Sequence, residues 1–140
     1  MAIKKSSLVA IAPAGQALLV GSPVQYDAVR IHTGAAIGFV PGGSNIRLLS
    51  PGLYLVAFDG DFTITTTGAV TFQLFNNDEA VSGAESTIQA TAAVPQGVHF
   101  ATLLEVKSSC CMIDNTANLQ VRTNAIGTLV TGDINIVKID

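Results

Sequence analysis

Few side chains in this sequence could do covalent or metal chemistry, and they are poorly placed for it. There are two histidines, His32 and His99. A serine hydrolase needs a base within hydrogen-bond reach of its nucleophile, and the G-x-S-x-G elbow is absent. A jelly-roll metalloenzyme needs several histidines and a carboxylate around one ion. The two histidines are far apart in the chain and form no H-x-H pair. Asp59-Gly60-Asp61 reads as a short acidic turn, with too few ligands for calcium, which takes about 6–8 oxygens. Asp78 and Glu79 read as a solvated hairpin tip. Gly42-Gly43-Ser44 is too short to cradle a phosphate and no lysine follows it. No spacing of carboxylates suits glycoside hydrolysis, and no N-x-S/T acceptor occurs. Cys110 and Cys111 are adjacent, so a bridge between them would close a strained ring. They read as two thiols on opposite faces of a strand. Neither catalytic residues, nor a bound cofactor, nor a metal site is expected. His99 reads as a surface group or as an interface group whose protonation near about pH 6.5 would loosen an assembly.

The elements that carry these residues are all strands. Apolar positions do not recur at 3.6-residue spacing, and Val, Ile, Thr and Phe dominate between Gly, Pro and Asn punctuation. Short pieces are expected at 7–11, 17–20, 28–33, 37–40, 46–49, 52–65, 69–75, 85–93, 97–106, 110–115, 119–123 and 134–139. Pro41-Gly42-Gly43, Ser50-Pro51-Gly52, Gly60 and Gly68 separate them. Asn76-Asn77-Asp78-Glu79 reads as a hairpin tip, since Asn and Asp tolerate positive φ. Even spacing of many short strands implies an antiparallel two-sheet sandwich or jelly roll. With 140 residues and no linker, the chain is expected to form one domain, 1–140.

One strand stands out. In Leu53-Tyr54-Leu55-Val56-Ala57-Phe58, launched by Pro51-Gly52, both faces are apolar. Successive side chains of a strand point to opposite sides, so Tyr54, Val56 and Phe58 take one face and Leu53, Leu55 and Ala57 the other. One face suffices for the core; the second needs another cover, and a second copy of the chain is the natural one. Val98–Val106 also looks covered on both sides after Phe100, whereas Val70–Leu74 alternates cleanly as a half-buried strand does. The final stretch, Asp133–Asp140, carries Ile134, Ile136, Val137 and Ile139. Tying so apolar a strand down requires the centre of a sheet or of an assembly.

Composition agrees. Charged residues make up 12% of the chain and hydrophobic ones 49%, with a mean hydropathy of +0.49, against an average near 25% charged. No apolar run approaches the roughly 20 residues of a spanning helix, so no membrane partner is expected. Seven basic residues against ten acidic, net charge −3, do not suit a nucleic-acid backbone. Near the start, Lys4 and Lys5 precede Leu8–Ala12, but Pro13 ends that run after five residues, shorter than a secretory h-region of about 7–15. It reads as a first strand.

Pro51-Gly52-Leu53-Tyr54-Leu55-Val56 resembles the "G-x-Y" strand of the tumour-necrosis-factor/complement-head jelly rolls. The Leu74-Phe75-Asn76-Asn77 hairpin and the terminal Ile134–Asp140 stretch resemble bacterial and phage members: phage head-fibre or decoration proteins and the heads of collagen-like exosporium glycoproteins. The resemblance covers about residues 45–140. It implies an all-β jelly roll that forms homotrimers about a three-fold axis, with Tyr54 and Val56 in the core and Leu55 and Ala57 toward neighbouring subunits. Leu53, Leu55, Ala57, Val137 and Ile139 are the candidate trimer-interface residues. The family's axial aromatic is replaced by Ala57, and no Gly-X-Y stalk is present. Residues 1–44 would complete the sheets or attach the module to a larger particle.

Three functions are weighed. The first is a non-enzymatic trimeric structural protein of a phage virion, a head fibre, decoration or fibre-tip component assembled in the host cytoplasm. Its partners would be its own copies and a capsid or fibre protein. The second is a receptor- or glycan-binding module on a bacterial or spore surface, with candidate loops Asn76–Gly83 and Asn124–Thr131. Absent Trp and only two Tyr speak against stacking on sugars. The third is a cupin-like enzyme, which the histidine spacing disfavours. The first reading is preferred.

Overall fold

In a computed structural model, which describes residues 6–107 and 117–139, the described residues form a sandwich of two antiparallel sheets with no helix among them. The strands are β1 (Ser7–Ile11), β2 (Gln16–Leu18), β3 (Ala28–Thr33), β4 (Ile37–Gly38), β5 (Ile46–Leu48), β6 (Gly52–Ile64), β7 (Gly68–Asn76), β8 (Glu79–Ala90), β9 (Gln96–Val106), β10 (Ala117–Thr123) and β11 (Gly127–Lys138). The first sheet runs β3-β1-β11-β6-β9, with β2 paired to the start of β11. The second runs β4-β5-β10-β7-β8. The expected strand at 110–115 lies outside the described residues.

The two-residue period of a strand explains the core. Along β6 the buried residues are Tyr54, Val56, Phe58, Gly60, Phe62 and Ile64, while Leu55, Asp59 and Asp61 alternate with them outside. β11 matches with Leu129, Ile134 and Ile136 inside, and β7 with Val70, Phe72 and Leu74. The sheets are joined by aromatic packing. Phe58 stacks between Phe72 and Phe100, both at 5.7 Å between ring centroids, and Phe62 meets Phe72 edge-on at 5.1 Å. The Tyr54 hydroxyl donates to the Ser50 carbonyl at 2.7 Å, so this buried ring leaves no orphan polar atom.

The hairpin between β7 and β8 is tighter than the expected Asn76–Gly83 loop. Only Asn77 and Asp78 lie outside the strands, with φ of 51° and 67°, the pair of left-handed residues a two-residue type I′ turn demands. Beyond it β8 bulges at Val81–Ala84, and the Gln73 side-chain amide donates to the Val81 carbonyl at 2.7 Å to close the gap.

The acidic turn expected at Asp59-Gly60-Asp61 does not exist. All three residues continue β6, paired across to Asp133, Gly132 and Thr131 of β11. Glycine is required there by a close approach rather than by a turn. β11 shifts register between Leu129 and Thr131, and a Cβ on Gly60 would lie 2.8 Å from the Thr131 carbonyl oxygen. The loop expected at Asn124–Thr131 is likewise mostly strand, because β11 starts at Gly127. Of the Asn76–Gly83 loop, only the two-residue turn is loop.

Candidate functional site

The register of the first sheet sets what its outer face displays. Residues opposite each other on neighbouring strands share a face. Ser7, Val137, Leu55 and Leu103 form one row across β1, β11, β6 and β9. Val9, Asn135, Ala57 and Ala101 form the next, with Ile31 of β3 beside Val9. The largest side chains of the first row remain open to solvent in the single chain: Leu55 is 40% exposed, Leu103 57% and Val137 38%. Ile139, 39% exposed, donates its backbone N–H to the Leu53 carbonyl at 2.7 Å and so extends the apolar surface past the end of β11. The core behind the rows is complete: Leu8, Val56 and Ile136 are fully buried. The apolar side chains outside are therefore not needed to complete that core.

Of the five residues expected from sequence at an interface, Leu53, Leu55, Ala57 and Val137 lie on β6 and β11, and Ile139 just past the end of β11. Leu53 and Ala57 are half-buried, and Leu55, Val137 and Ile139 exposed. Sequence reading missed Leu103, the most exposed of the row, together with Ala101, Val9 and Ile31. The signal for Leu103 was the two-sided apolar β9, but only its pairing with Leu55 places it on this surface.

Two rows along, the character changes. Ile11, Asp133, Asp59 and His99 align across β1, β11, β6 and β9. Asp61 follows two residues on, accepting a long hydrogen bond from the Thr131 hydroxyl at 3.5 Å. Arg30, at the register shift in β3, faces Asp59, Asp61 and Asp133 across a cleft of about 480 Å³ floored by Gly60 and Gly132. Tyr26 is fully buried, and its hydroxyl has no hydrogen-bond partner among the described residues. Burial, helped by the negative charge of Asp133, drives its pKa well above that of an ordinary phenol.

Among the described residues no cluster of three or more His, Cys, Asp or Glu side chains is arranged to hold a metal ion. The histidines sit on opposite edge strands of the first sheet, His32 on β3 and His99 on β9, four strand spacings or roughly 19 Å apart across the sheet alone. His32 bonds the Ile37 carbonyl at 2.7 Å. Cys110 and Cys111 lie outside the described residues. On the other sheet a smaller cleft of about 260 Å³ lies between Val20, Phe75, Arg122 and Asn124. Its aromatic is already covered, since the Arg122 guanidinium sits 4.4 Å above the Phe75 ring and pairs with Asp78.

Over nearly its whole length the chain is similar in fold to solved structures. The globular domain of zebrafish complement 1qA superposes with a TM-score of 0.74 at 11% identity, covering 98% of each chain. Murine APRIL gives 0.71 at 10% identity, covering 97% of this chain and all of that one. PRD1 vertex protein P5 gives 0.63 at 13% identity, covering 96% and 97%. At such identities the likeness is one of fold. No family model and no curated protein matches the sequence.

Proposed function

We propose that this chain is a non-enzymatic structural module that works as a homotrimer, closed through the outer face of its six-stranded sheet, and that it forms part of a phage virion as a head-fibre or decoration component. The observation that carries the reading is the exposed Val137–Leu55–Leu103 row, with Leu53, Ala57 and Ile139 beside it, on a sheet whose other face already completes the core. An apolar patch of this extent on a chain with 12% charged residues calls for a cover. The rows offer the same surface on every copy, and the strands that bear it resemble a family of trimeric heads. The virion assignment is supported by the similarity in fold to the vertex protein P5 of the phage PRD1.

Light scattering and sedimentation velocity at micromolar concentration test the assembly. The expected mass is three times 14.4 kDa; a lone chain with its outer face wetted sinks the reading. Mass spectrometry of purified particles from the producing host tests the location, which is refuted if the chain is absent from virions.

A further inference from the structure

Resting on the trimer reading, we propose that acidification tightens the assembly, through the polar band that borders the apolar rows. His99 protonation considered alone would place an unpaired cation in an interface. The register removes that objection, because Asp59 stands directly across the ladder from His99 and Asp133 directly across from Asp59. With Asp61 two residues further along β6, the band carries three carboxylates and one imidazole.

The other charged groups around it are few. Arg30 lies across the cleft on β3, with His32 near the end of the same strand. Asp27, held by its N–H to the Ile11 carbonyl, adds another acid at that edge. β1 brings no charge. β9 itself carries Glu105, beyond Leu103. β8, the remaining element packed on β9, carries Glu79 and Glu85. Directly across the ladder, then, His99 meets one carboxylate, Asp59, with Asp133 one strand further on. The cleft alone holds Asp59, Asp61 and Asp133 against Arg30, a balance of −2.

Closing the apolar rows against sister copies brings three such bands together and strips water from them. Like charge and desolvation both disfavour ionised carboxylates, and an imidazolium gains from facing them. Assembly then takes up protons from either kind of group. A reaction that takes up protons strengthens as pH falls, by about tenfold per unit for each proton bound.

Sedimentation equilibrium of the full chain between about pH 7.5 and 5.5 reads this directly. The trimer association constant is expected to rise at least about tenfold toward the acid end. Asp59→Asn should raise the constant at the upper pH and flatten the slope. His99→Gln should flatten it without raising the constant, and serves if the first variant does not fold. A trimer whose constant is level or falls on acidification overturns the inference and leaves the trimer standing. A monomer at every pH overturns both.

Discussion

Replacing Leu55 by Asp places one carboxylate per copy at the middle of the exposed apolar row. Fully burying a leucine side chain is worth about 1.5–3 kcal/mol. In the single chain Leu55 is still 40% exposed, so assembly gains about 1 kcal/mol per copy from completing its burial. A carboxylate in the same position costs several kcal/mol if it stays charged; about 2 kcal/mol is a low figure for partial burial. The sum is about 3 kcal/mol per copy and about 9 kcal/mol per trimer, or roughly six powers of ten in the association constant at 1.4 kcal/mol per tenfold. The fold of each chain should survive, because Leu55 points away from the core and strand preferences on an open face span only about 1 kcal/mol. Light scattering should therefore show a monomer at concentrations where the parent chain is a trimer, with an unchanged far-ultraviolet β spectrum. A folded L55D protein of unchanged trimeric mass would refute the assignment of this face.

Other perturbations probe the sandwich itself. Phe72→Ala removes the ring that Phe58 stacks on and Phe62 meets edge-on, and should lower stability by about 3–5 kcal/mol in denaturant titrations; a loss below about 1 kcal/mol would deny Phe72 its place at the centre of the core. Gly60→Ala forces a methyl group against the Thr131 carbonyl and should cost about 1–3 kcal/mol, whereas a solvated turn at this position would tolerate alanine. Gln73→Leu leaves the Val81 carbonyl in the β8 bulge without its donor. A loss of about 1–2 kcal/mol is expected, together with faster amide exchange across Val81–Ala84; unchanged exchange would show that the bulge holds without this bond.

Much of the sandwich was legible because the signals are local. Alternation put Tyr54, Val56 and Phe58 on one side of β6, and burial agrees. Asn76-Asn77-Asp78-Glu79 announced a hairpin tip through the tolerance of Asn and Asp for positive φ, though not that β8 resumes at once at Glu79. The apolar stretch from Ile134 onward called for the centre of a sheet or of an assembly, and β11 lies between β1 and β6. Where reading failed, a long-range contact overruled a local cue. Asp59-Gly60-Asp61 has the composition of a turn, yet Gly60 is a glycine because the shifted strand β11 comes too close for a Cβ. The expected loop Asn124–Thr131 is strand from Gly127 on, because pairing with β2 and β6 holds it there.

The same division runs through the candidate site. That Leu53, Leu55 and Ala57 share a face opposite the core follows from the sequence alone, since the direction of successive side chains is fixed by the chain's own geometry at a period of two. Which residues stand beside them does not. Leu103 joins Leu55 and Val137, and His99 joins Asp59 and Asp133, only through the register of three strands distant in sequence. Register is settled by the packing of all their inner faces at once, and a chain read one segment at a time carries no record of it.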